Sequence, residues 1–306
     1  MHRILAAALH LAVALLARLP WSVLHAMADL LASRALRGDS REARVARRNL
    51  ELAYPDLLHG ERTALQRDVL QTTMRQTVET FRLWTQPHAC NLALIEEQIG
   101  GPLLDEAIAA GRGVIVVAPH YGNWELLNQW LASRTALAIL YAPPESPVAD
   151  VFLQRVRAAQ GDAQRVTQVR AQAAGVRKLV KWLRDGGVAG ILPDQQPKQG
   201  DGEFAPFFGQ PALTMSLLSR LASRTGAAVL VAFCERIGDG RDGPRFALHV
   251  ERAPEEVSDP DVMRSIAALN RAIEHVARRD PAQYQWTYKR FSLQPDGSNP
   301  YWPDCY

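Results

Sequence analysis

From residue 102 onward, apolar runs of strand length alternate with segments of helical periodicity. The strand candidates are "GVIVVAP" (113–119), "ALAILYA" (136–142), "VAGILPD" (188–194), "AAVLVAFCE" (227–235) and "RFALHVE" (245–251). A short unbroken apolar run suits a strand buried on both faces, and helices between such strands supply the cover. Helices are expected over residues 101–110, 124–133, 147–160, 172–185, 214–225 and 260–279. The pattern predicts an α/β fold with a mixed, mostly parallel central sheet flanked by helices.

The first hundred residues read differently. "ILAAALHLAVALLARL" (4–19) has only His10 and Arg18 as polar groups, about 16 residues against the ~20 of a perpendicular membrane span. After Pro20, Trp21, Leu24, Met27 or Ala28, and Leu31 share one face of an amphipathic helix, and six arginines follow between Arg34 and Arg48. This order predicts a membrane-associated helical segment whose basic end meets an anionic cytoplasmic surface. A solvated basic helix beside an ordinary core helix is the alternative. Residues 60–84 read as one long helix with Leu65, Val69, Thr73 or Met74, Thr77 and Phe81 at three- and four-residue steps. The expected division is an anchor and basic helix (1–48) and one enzymatic domain (49–306). The domain comprises a helical brace (49–100), an α/β core (101–252), and a C-terminal helix with an aromatic tail that wraps the core (253–306).

Composition narrows the function. Only four of the 35 basic residues are lysine, a bias toward the planar guanidinium that forks onto phosphates and carboxylates. Cys90, Cys234 and Cys305 are scattered without a C-x-x-C spacing, so no disulfide framework and no metal site is expected, and a reducing compartment fits best.

His120 stands just past the strand candidate "GVIVVAP", and Glu125 lies one turn further on at the start of the next helix. Functional groups of open α/β sheets collect at such carboxyl edges. If the turn Tyr121-Gly122-Asn123 folds back, Glu125 can accept the Nδ1 proton of His120 and leave Nε2 as a base, with Trp124 as an apolar wall. This is the acid–base half of a triad without a nucleophile, since no G-x-S-x-G occurs and no cysteine lies in this block. The bland reading is a His that caps a turn and a solvated Glu.

"HYGNWE" (120–125) resembles the His, four residues, acid motif of the lysophospholipid acyltransferase superfamily, in the form found in late lipid A acyltransferases. "LRDGGVAGILPDQQP" (183–197), "FAPFFGQPALTMSLLSRLASRTGA" (204–227) and "YQWTYKRF" (284–291) resemble three further blocks of that family, in the same order. The resemblance covers about residues 40–300. It implies an acyl chain delivered on acyl carrier protein and a hydroxyl acceptor on a phosphorylated glycolipid, the lipid A precursor. It also implies direct transfer at the cytoplasmic face of the inner membrane, with no cofactor and no nucleic-acid partner. His120 would be the base and Glu125 its orienter. Acylation of another glycolipid or a lysophospholipid is the alternative within the enzymes, and a non-catalytic membrane-associated protein retaining the fold is the alternative outside them.

Asp194, at the end of "VAGILPD", either caps a loop or orders the site. Arg170 and Arg157 are candidates for oxyanion or phosphate contact or for ordering the site, beside the plainer reading of surface ion pairs. In "PFFGQPALT" (206–214) the helix expected to begin near Thr214 could bind a phosphate, and Phe207 and Phe208 could line an acyl groove or simply pack the core. Asn123, Trp124, Phe207, Phe208 and Gly209 complete the substrate-binding candidates. The literal G-x-G-x-x-G at 238–243 precedes a strand and reads as a hairpin loop.

Overall fold

Val114–Val117 form the central strand, every side chain fully buried, with Ile115 and Val117 in one core and Val114 and Val116 in the other. The computed structural model describes residues 2–144, 146–158, 165–241 and 243–305. Five helices lead in: α1 (His2–Leu16), α2 (Trp21–Arg37), α3 (Arg41–Ala53), α4 (His59–Leu83) and α5 (His88–Leu92). Strands and helices then alternate as β1 (Ile95–Ile99), α6 (Gly101–Ala109), β2 (Val114–Val117), α7 (Trp124–Arg134), β3 (Leu137–Tyr141), α8 (Pro147–Ala158), β4 (Val166–Arg170), α9 (Ala173–Arg184) and β5 (Val188–Ile191). The chain continues with β6 (Gly202–Phe207), β7 (Gln210–Met215), α10 (Leu217–Thr225), β8 (Ala228–Gly240), β9 (Gly243–Arg252) and α11 (Val262–Ala277).

The main sheet has the order β1-β9-β8-β2-β5-β3-β4, and every adjacent pairing is parallel except β8 with β9. The expected α/β class with a mixed, mostly parallel sheet is therefore observed. One face carries α6 and α7 through Leu104, Leu126, Leu127 and Trp130. The other carries α3, α9, α10, α11 and the tail through Leu50, Leu179, Leu218, Leu269 and Trp286.

Three departures have clear causes. β1 ("IEEQI") joins the sheet although its stretch reads as part of a helical brace. It is an edge strand with only Ile95 buried, so it needs no apolar run. β4 ("VTQVR"), the opposite edge, is equally polar and equally hidden. The helix expected from Thr214 begins instead at Leu217, because residues 202–215 form the antiparallel hairpin β6–β7 with Pro206 facing Pro211. Those prolines obscure the strand pattern. Residues 159–160, the end of the helix expected over 147–160, lie outside the described residues, and so does residue 242 of the 238–243 loop.

The N-terminal helices are joined to the core by charge. Arg75 of α4 donates from Nε and Nη2 to the Asp29 carboxylate of α2 at 2.7 and 2.6 Å, and Arg236 of β8 donates to Glu79 at 2.9 Å. Trp21 lies against Gly243, under the Arg82 guanidinium at 4.2 Å. Among the described residues no single helix is long and apolar enough to cross a membrane; α1 and α2 meet at a bend of 110°. Their outer faces expose Ile4, Leu11, Leu15, Leu30 and Leu31.

Residue 48 falls inside α3, whose Val45, Ala46 and Leu50 belong to the main core. In α3, Asn49 is buried and holds the tail: its Nδ2 donates to the carbonyls of Trp286 (2.6 Å) and Tyr288 (2.7 Å), and its Oδ1 accepts from the Tyr301 hydroxyl. Asn49→Ala removes three hydrogen bonds, two of them buried, and should lower the unfolding free energy by about 3 kcal/mol. Urea denaturation of the two proteins measures this; a loss below about 1 kcal/mol would show that the tail does not depend on this clamp.

Candidate active site

β2 and β5 are adjacent parallel strands in register from Val114↔Val188 to Val117↔Ile191, so the chain leaves both at the same edge of the sheet. His120 follows β2 and Asp194 follows β5. The His120 backbone N–H donates to Asp194 Oδ2 at 2.8 Å, and its ring Nδ1 is 2.7 Å from Asp194 Oδ1. Asp194 is 2% exposed. Burial pushes its carboxyl upward, but the His120 charge and the hydrogen bonds from His120 outweigh this, and the net direction is downward. The carboxylate stays ionised and holds the proton on Nδ1. Nε2 is then the basic nitrogen, and Gln195 Nε2 lies 3.2 Å from it.

This corrects the expected partner of His120. The Glu125 carboxylate instead accepts from Arg157 Nε at 3.1 Å and from Arg157 Nη2. The reason is local. Asn123 caps α7 by accepting from the Leu126 N–H at 3.1 Å, so Glu125 already lies in the first helical turn. There it is buried on the side that meets α8, beside a narrow cavity lined by Trp84, Asn128, Ile139, Val156 and Val166.

The turn 120–123 is held from outside. The Gly122 N–H donates to the Gln283 carbonyl (3.2 Å), the Asn123 N–H to the Cys234 carbonyl (2.8 Å), and the Gln285 N–H to the His120 carbonyl (3.0 Å). Gly122 has φ 55°, and any Cβ there would collide with the Cys234 carbonyl. Trp124 stands edge-on to the His120 ring with centroids 5.0 Å apart, the wall that the sequence suggests.

The remaining candidates are dispersed. Arg170 ends β4 and donates to Asp150 (2.9 Å) and to the Tyr141 hydroxyl (3.3 Å), an exposed pair away from His120. Phe207 and Phe208 are core residues, 1% and 5% exposed, packed with Tyr54, Trp286 and Phe291. Gly209, with φ 72°, makes the β6–β7 turn. The expected groove and phosphate-binding helix end are therefore not found at 206–214, since the residues after the turn continue as β7. None of the cysteine thiols is arranged as a nucleophile: Cys90 is exposed on α5, Cys305 is buried in the tail, and burial raises the Cys234 thiol.

The family model described as bacterial lipid A biosynthesis acyltransferase matches residues 2–292. The chain belongs to this family. The lipid A biosynthesis lauroyltransferase of Escherichia coli (strain K12) is 27% identical across 92% of this chain and 90% of its own length. The palmitoleoyltransferase of lipid A biosynthesis from the same organism is 27% identical across 92% and 89%. A phosphatidylinositol mannoside acyltransferase of Mycobacterium tuberculosis (strain CDC 1551 / Oshkosh) is 30% identical across 56% and 54%.

Reading the sequence of this acyltransferase misses Gln195 and the tail residues Gln285, Tyr284 and Arg290. Gln195 donates to Gln285 Oε1 at 3.1 Å, which brings the tail to the imidazole. Burial and the neighbouring Asp194 hold the Tyr284 phenol well above its ordinary range, so it stays neutral. Arg290 is buried and donates to the Leu213 carbonyl (2.6 Å) and the Thr214 hydroxyl (2.8 Å). The adjoining "DQQ" and "YQWTYKR" runs, polar groups among apolar ones, are the signal that could have marked these residues.

Beside the turn, Glu235 accepts from the Tyr121 hydroxyl (2.6 Å) and Arg279 (2.9 Å), and His249 Nε2 lies 3.2 Å away. Burial raises its carboxyl, but hydrogen bonds from His249, Arg279 and Tyr121 bring it from 4.5 to about 2. A depressed carboxyl stabilises the fold above its unfolded value, and that contribution is lost as pH falls from about 4.5 through about 2. Glu235→Gln should therefore cost on the order of 2 kcal/mol at pH 7, after discounting for solvent screening, and nothing near pH 2. Thermal unfolding across that range checks it; an equal loss at both ends would assign Glu235 a packing role alone.

Proposed function

We propose that this acyltransferase moves a fatty acyl chain from an acyl carrier protein thioester to a hydroxyl of a phosphorylated lipid A precursor, at the cytoplasmic face of the inner membrane. The observation that carries the reading is an imidazole held through Nδ1 by a buried carboxylate, with Nε2 left basic and, among the described residues, none of the cysteine thiols in contact with it. Such a pair performs acid–base chemistry on a nucleophile that arrives with the substrate.

The acceptor hydroxyl attacks the thioester carbonyl carbon as its proton passes to His120 Nε2, forming the C–O bond and a tetrahedral oxyanion. Asp194 stabilises the imidazolium across the 2.7 Å bond. Collapse of the oxyanion breaks the C–S bond, and Nε2 returns the proton to the departing thiolate. Glu125 and Arg157 brace α7 against α8 beside the site, an ordering role for both. The exposed apolar side chains of α1 and α2 enter the membrane interface. Fifteen residues of α1 reach about 22 Å, short of the ~30 Å hydrocarbon core, and the bend suits helices lying in the surface plane. The similarity to a phosphatidylinositol mannoside acyltransferase supports a second reading, in which the acceptor is a different glycolipid.

With purified protein, acyl carrier protein thioester and lipid A precursor, Asp194→Asn should lower kcat by about a thousandfold or more, because the amide no longer holds the Nδ1 proton, and His120→Ala by at least as much. Glu125→Gln, which leaves the dyad in place, should cost only about tenfold. Near-normal transfer by His120→Ala would sink the mechanism. Mass spectrometry of cellular lipids with and without the gene separates the acceptors: an unchanged lipid A acyl pattern beside a changed glycolipid favours the second reading.

The interfacial placement has its own test. The triple variant Leu11→Asp, Leu15→Asp, Leu30→Asp should lose most flotation with anionic vesicles while keeping its thermal unfolding temperature. Undiminished flotation would show that another surface makes the contact.

A further inference from the structure

The base is already occupied. Asp194 holds the proton on Nδ1 of His120, so Nε2 presents a lone pair, and the Gln195 carboxamide donates an N–H to it across 3.2 Å. The same amide nitrogen donates to Gln285 Oε1 at 3.1 Å, so both hydrogens of the Gln195 amide have acceptors. Both glutamines are tethered to His120 itself. Gln195 follows Asp194, whose Oδ2 accepts the His120 backbone N–H, and the Gln285 N–H donates to the His120 carbonyl. The next residue is held as well, since Gln196 Oε1 accepts from the Leu293 N–H at 2.9 Å. This amide is built into register with the ring.

We propose that Gln195 is a displaceable cap on the base and, once displaced, the oxyanion donor; this deepens the acyl-transfer reading and rests on it. A hydroxyl that is to lose its proton to Nε2 must first replace the Gln195 N–H. Water gains little by the exchange, whereas an acceptor hydroxyl is brought there by the binding of its whole molecule. The base is thereby silent toward water while a thioester waits for its acceptor. The freed N–H stays beside Nε2, because Gln285 still holds the other hydrogen. The oxygen of the attacked carbonyl sits on the same carbon as the new C–O bond, within the 2.7–3.1 Å reach of such a donor. When the C–S bond breaks and the thiolate takes the proton from Nε2, the acylated product leaves and the amide returns.

The test uses the full chain and Gln195→Met, which keeps length and bulk but has no N–H. Nitrogen NMR of histidine-labelled protein without substrate, at a pH where His120 is neutral, should show the Nε2 resonance moving downfield in the variant toward that of a free lone pair. An unmoved resonance overturns the cap. With acyl thioester, transfer kcat should fall about a hundredfold with acceptor KM within about threefold, the cost of one oxyanion donor. Acceptor-independent hydrolysis should rise relative to transfer by tenfold or more. A fall in transfer and hydrolysis by the same factor overturns the proposed cap, because an oxyanion donor alone serves both reactions equally. A wild-type protein inactive on every thioester overturns the acyl-transfer reading and with it the donor role, while the resonance alone still decides the cap.

Discussion

One buried carboxylate joins the ends of two adjacent strands, and the geometry of the site follows from it. Both oxygens of Asp194 bond to His120, one to its backbone N–H and one to its ring, and the Tyr284 phenol hydrogen-bonds to the same carboxylate. A charge so deeply buried is tolerable only when paired and fully hydrogen-bonded, so the same contacts that let Asp194 remain ionised also fix the rotamer and the tautomer of His120. Position, protonation and basicity are three consequences of one interaction.

The remainder of the turn 120–123 does not hold itself. Its backbone groups are met by the Cys234 carbonyl of β8 and by Gln283 and Gln285 in the tail. The tail is in turn pinned by Asn49 of α3 and by Arg290, whose guanidinium reaches β7. Residues after β5, in β8 and in the tail therefore meet at the turn of His120, with Asn49 and Arg290 holding the tail from further off. Arg290 is fully buried, and desolvation lowers its pKa, so its place is secured by the carbonyl and hydroxyl it donates to.

Two of the sequence-level readings failed for reasons that are physical. Edge strands β1 and β4 are half solvated, so they need no apolar run and leave no period to read. The hairpin β6–β7 carries paired prolines and two aromatic residues whose role as core could not be told from a groove until their neighbours were known. The buried strands, by contrast, were legible because burial on both faces demands continuous hydrophobicity. The long helix α4 was legible because one face of it is covered.

His120 was marked by sequence alone, since a polar residue directly after a buried strand has few places to go but the sheet edge. Its partner was not. The nearest acid along the chain, Glu125, sits in the first turn of a helix and faces α8, while the acid that holds the imidazole lies 74 residues away. Register decided the matter: with Val117 opposite Ile191, His120 and Asp194 leave their strands at the same level and meet. The order of residues determined the class of fold, the family and the candidate base. The lateral pairing of β2 with β5, a long-range hydrogen-bond register that no local pattern encodes, chose the acid that completes it.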